Sequence, residues 1–177
     1  MKKIFLLLVI INMLCRCQNN HQQKTSGSNK KLSALLENYY DERMQLFPLE
    51  ATVNGDKRFN DLLPADFTDS YRNKLTIFFT KNLDAIKKIS KDGLDENDKI
   101  SYDIFTYEMA MALQGLTLHY MGSSLSGNSY EPFDQFTGVP LMLGQMGGGT
   151  GNQPFKTVAD YDNWLQRATA FSAWADR

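Results

Sequence analysis

Cysteine and histidine are close to absent from this chain: among 177 residues there are two of each. Both cysteines, Cys15 and Cys17, fall at the very start, so the rest of the chain holds no disulfide pair. The histidines are His21 and His119. Zinc hydrolysis ordinarily uses two histidines on one helical face with a carboxylate beside them, so these residues supply no metal ligand set and no catalytic histidine. A Gly-x-Ser-x-Gly turn is also missing, which removes the usual serine-hydrolase arrangement. Basic excess is lacking too. Setting aside Lys2, Lys3 and Arg16 in the leader leaves 16 basic residues against 20 acidic ones. Nucleic acid, whose phosphates need a clustered basic surface, is excluded as a partner. No internal repeat appears, and no alternating pattern is long enough for a strand.

Glycine is concentrated in "GQMGGGTGNQPF", residues 144–155. A phosphate loop ends in Gly-Lys-Ser/Thr, and a dinucleotide fingerprint places G-x-G-x-x-G between a strand and a helix. This stretch has neither, and Pro154 removes an amide that an anion would use. It reads as a mobile or close-packed loop.

What is present begins with an export leader. Lys2 and Lys3 precede an apolar run over residues 4–11, and the cysteines follow. The run is too short for a comfortable membrane span. Residues 1–17 are expected to be a signal peptide of lipoprotein type, with Cys17 or Cys15 lipidated. Leu14 and Arg16 stand where small residues usually precede such a cysteine, and an ordinary cleaved signal is the alternative. The polar stretch over residues 18–30 is expected to be a flexible tether. The body would then be exported, to the periplasm or outer membrane, with a lipid anchor as its contact with the membrane.

With 42% hydrophobic and 22% charged residues, the body can bury one sizeable core. Leu32, Leu35, Leu36, Tyr39, Tyr40, Met44 and Phe47 recur at helical spacing, and Pro48 ends or redirects that helix. A short helical turn and an irregular connection follow, around Asn54, Gly55 and Pro64. From Thr68, a stripe of Tyr71, Leu75, Phe78, Phe79, Leu83, Ile86 and Ile89 predicts a second long helix ending near Asp92, with Gly93 as its cap. A third opens at Asp95 and is apolar nearly all round over residues 104–121, which predicts burial on several sides. Residues 122–156 form one long Gly-rich loop. A fourth helix starts at Thr157, capped with Asp160, and its apolar face is Val158, Tyr161, Trp164, Leu165, Ala168, Phe171 and Trp174. It is still running at Arg177, with Trp174 expected to be unburied. The fold class is all-α, a helical array of long amphipathic helices.

Few side chains stand out chemically. His119 is expected in the core or at an interface. Glu108 lies among apolar neighbours, and an arginine from another helix is its expected partner. Asp41 with Glu42, Asp95 with Glu96, and Asp160 with Asp162 read as solvated faces or helix caps.

The segments "YYDERMQLFPLEATVNGDKRFNDLLP", "DKISYDIFTYEM" and "FDQFTGVPLMLGQMGGGTGNQPFKTVADYDNWLQR", in that order, resemble the amino-terminal part of the bacterial domain-of-unknown-function family 885. The likeness spans residues 31–177. It implies the amino-terminal portion of a larger all-helical, exported protein related to zinc carboxypeptidase-like metallopeptidases. The intact protein would be a hydrolase acting on peptides, with zinc polarising the scissile carbonyl and activating water. The family's zinc motif, a His-Glu followed by Pro-Gly-His, matches no position here. The resemblance therefore implies no catalytic or metal residue in this chain, no cofactor of its own, and no activity for this portion alone. What it carries over is a supporting role: Tyr130, Gln135, Phe136 and Gly138 would line a substrate cleft. The competing reading is a non-enzymatic, lipid-anchored helical module that binds a nutrient or partner at the cell surface.

Overall fold

The computed structural model describes residues 29–117, 138–149 and 151–176. These form six α-helices and no strand, in agreement with the all-α expectation. The helices are α1 (Lys30–Leu46), α2 (Pro48–Val53), α3 (Asp69–Lys87), α4 (Glu96–Thr117), α5 (Val139–Gly147) and α6 (Val158–Ala175), with single 3-10 turns at Lys57–Phe59 and Lys91–Gly93. No helix among the described residues is long and apolar enough to cross a membrane.

Asn29 opens α1 by accepting from the amides of Lys31 and Leu32. Its own amide donates to Asp98 Oδ2 at 2.6 Å, which ties the start of α1 to the start of α4. At the other end, Pro48 takes the first position of α2, where its missing N–H costs nothing. The break between α1 and α2 is held by Arg43, whose Nε and Nη2 reach Glu50 Oε1 and Oε2 at 2.8 and 2.7 Å. Arg43 also lies over the Phe47 ring, 4.7 Å from its centre.

Thr68 caps α3, which runs antiparallel to α1. Tyr71 donates to the Leu46 carbonyl, and about two turns away on both helices Tyr39 stacks on Phe78 with ring centres 5.2 Å apart. Helix α4 lies parallel to α1, through Asn29 on Asp98 and an edge contact of Tyr39 with Phe105 at 4.9 Å. It is antiparallel to α3, since Arg72 reaches the Leu116 carbonyl at 2.9 Å. The core between these three helices is Leu32, Tyr71, Leu75, Phe78, Phe79, Ile86, Leu94, Phe105, Met109 and Leu116.

Four expectations change. Helix α3 ends at Lys87 with Lys88 as its cap, and Gly93 closes a separate 3-10 turn without the left-handed φ of a glycine cap. Helix α4 is buried on one face, whereas Ile100, Ile104, Tyr107 and Met111 are exposed along the opposite one. The Gly-rich region is not loop throughout: "VPLMLGQMG" is α5, with Pro140 in its first turn and Leu143 and Met146 buried three residues apart. Its glycines disguised a helical spacing. Finally, α6 is turned relative to the expected face. Asp160, Arg167 and Trp174, seven residues apart, are buried, while Val158, Tyr161 and Leu165 are exposed.

Candidate functional site

The polar centre of the molecule is Arg167, midway along α6 and fully buried at 0% exposure. Its Nε donates to the Leu62 carbonyl at 3.0 Å. Nη1 reaches Thr52 Oγ1 at 2.9 Å and Gln153 Oε1 at 2.8 Å. Nη2 reaches the carbonyls of Phe59 at 2.6 Å and Pro48 at 3.4 Å. Every acceptor is neutral. Burial therefore dominates and pulls the guanidinium down to about 10, with only Asp61 opposing. With its donors engaged on the protein, Arg167 cannot also bind an anionic substrate; it is a post that gathers three segments.

Two further groups complete this post. Thr52 donates to Asn60 Oδ1 at 2.7 Å, and Asn60 is itself buried. Gln153, 3% exposed, donates back to the Asn60 carbonyl at 3.4 Å. The tail of the Gly-rich segment is thus hooked onto the body. Beyond it, Thr157 and Asp160 form a reciprocal capping box, as the sequence suggested. Phe155 packs on Tyr161 and Trp164 with ring centres 5.2 and 5.8 Å apart.

Near the end of α6, Trp174 is buried, not exposed as expected, against Phe67 and Phe171. Its indole lies beside the Asp66 carboxyl. Burial pushes the Asp66 carboxyl above its ordinary value, and its own backbone and the Trp174 indole offset this only in part. A carboxyl raised in the folded state binds its proton more tightly there than in the unfolded chain. The stability it contributes is full below the ordinary value of 3.8 and is lost as pH rises through the raised value. Asp66→Asn removes that dependence. In urea unfolding, the variant is expected to gain on the wild type as pH rises from 3.8 toward neutrality; a difference that does not vary with pH refutes this.

Of the cleft residues expected from the sequence, Gly138 is described: it precedes α5 with φ +103°, a conformation that favours glycine. Tyr130, Gln135 and Phe136 lie outside the described residues, as do Cys15, Cys17, His21 and His119. Glu108 does not sit in an apolar pocket with an arginine; it is exposed, because it points away from the single buried face of α4. The acidic pairs are caps and surface ion pairs: Asp95 accepts from the Asp98 amide, Asp41 meets Arg58, and Glu42 meets Lys81. No group of three His, Cys, Asp or Glu side chains among the described residues could hold a metal ion. These residues do not fit a zinc site. Arg167 escaped the sequence reading although its signal was present, three residues after Trp164 and four before Phe171 on the inward face.

A family model described as "Bacterial protein of unknown function (DUF885)" matches residues 48–177. No curated protein and no solved structure matches the chain.

Proposed function

The chain belongs to the bacterial DUF885 family, and on that premise we propose that it is the helical, substrate-side part of an exported, lipid-anchored hydrolase of peptides. The match over residues 48–177 supports the family, and it includes the Gly-rich block that is the most specific part of the resemblance; hydrolysis of peptides, export and the anchor are what that resemblance implies. Zinc, where the intact protein uses it, would be held by residues other than those described. The part played by the described residues is positional. Arg167 fixes α6 against α2, and Gln153 fixes the end of the Gly-rich segment on the same post. Gly138 would contribute to one wall of the cleft, with Tyr130, Gln135 and Phe136.

The competing reading is a lipid-anchored binding module without catalysis.

The test uses protein isolated from the cells that make it. Zinc content and hydrolysis of a mixed peptide library are measured before and after chelation, and the amino-terminal peptide is weighed for a lipid on Cys17 or Cys15. The hydrolase reading expects bound zinc and at least a hundredfold loss of hydrolysis on chelation, on the order of a metal's contribution to catalysis. Protein that lacks zinc and hydrolyses nothing, yet binds peptides, establishes the module instead.

A further inference from the structure

We infer that α5 and the turn after it form a strap, a unit that opens from the body together and is latched by Gln153. Three observations converge on this. Helix α5 is bounded by Gly138 at φ +103° and Gly149 at φ +75°, left-handed backbone positions that let the chain change direction abruptly. Its own burial is slight, with Leu143 and Met146 inside and Leu141 41% exposed. The segment after it fastens deeply: Gln153 is 3% exposed and spans Arg167 and Asn60.

The strap is also internally knit. A Cβ on Gly151 would stand 3.1 Å from the Met146 backbone, so the turn folds back onto α5. A Cβ on Gly147 would come within 2.5 Å of the Trp164 ring, so the end of α5 is laid directly on α6. The latch is asymmetric. If Gln153 is released, its amide finds water, while Arg167 keeps Leu62, Thr52, Phe59 and Pro48 as acceptors. The post stays fixed, the strap lifts, and the part of the Trp164 ring under Gly147 is uncovered while Phe155 stays against it. Opening of this kind belongs to the low end of a protein's local stabilities, well below global unfolding.

Hydrogen exchange on the full chain tests this with Gln153→Ala and Leu143→Ala. Loss of the latch is expected to speed exchange about tenfold across α5 as well as around residue 153, as for one buried hydrogen bond. Leu143→Ala should accelerate the same set of amides by one common factor, and neither variant should change α1, α3 or α4. Gln153→Met repeats the first experiment without a cavity. Acceleration confined to residues 151–155, with α5 unaffected, overturns the inference, as does an equal acceleration in α3 and α4.

Discussion

Arg167→Met is expected to lower folding stability by about 3–5 kcal/mol, a large part of the total for a chain of this size. The side chain fits the space, so packing is not the main loss. The loss comes from the acceptors. Replacing both members of a buried polar pair by apolar groups can be neutral, but here the partners include the backbone carbonyls of Leu62, Phe59 and Pro48, which no substitution at 167 removes. Leu62 O and Gln153 Oε1 would lose the donor that holds them, each at about 1–3 kcal/mol. Removing the buried charge returns part of this, since the guanidinium is pulled down to about 10 by desolvation. Arg167→Lys should fall between, because an ammonium offers three donors where five acceptors wait. Urea unfolding followed by circular dichroism measures both; a loss below about 1 kcal/mol for the methionine variant would mean that water replaces the arginine.

This residue also marks the limit of what the sequence disclosed. The long helices were legible because their apolar residues recur at three and four, and two of their starts because Asp95 and Thr157 are strong caps. Helix α5 was hidden because glycine at 144 and 147 dilutes the pattern that Leu143 and Met146 carry. The face of α6 was misjudged for a different reason. Hydrophobic residues line both sides of that helix, and periodicity ranks an arginine as outward. Five neutral acceptors supplied by α2, the stretch to Leu62 and Gln153 reverse that ranking, and none of them is adjacent to Arg167 in sequence. The aromatic end of α6 follows the same logic, since Phe67 and Asp66 reach Trp174 from over a hundred residues away. Of the candidate site, the capping box and the Gly-rich segment were foreseen as features. The post that joins them depends on tertiary contacts.

Phe105→Ala is expected to cost about 3–5 kcal/mol, the range for an aromatic removed from a packed core. Phe105 is 4% exposed where α1, α3 and α4 meet, and its ring takes the edge of Tyr39, which in turn stacks on Phe78. Removing it leaves a cavity and deprives Tyr39 of one of its two ring partners among the described residues. The effect should spread along a definite path. Tyr39 accepts from Arg43 Nη1 at 3.1 Å, and Arg43 holds Glu50 on α2, so loosening Tyr39 weakens the tie across Phe47. Amides at the junction of α1 and α2 are therefore expected to exchange faster in Phe105→Ala than those of α6, which is fastened through Arg167 instead. Phe105→Leu, which keeps most of the volume, should cost less than half as much and leave the junction nearly as protected. If the alanine variant loosens α6 as strongly as the junction, the three-helix core and the Arg167 post unfold as one unit. If the junction opens first, the post can hold α6 and the strap in place while the core beside it yields.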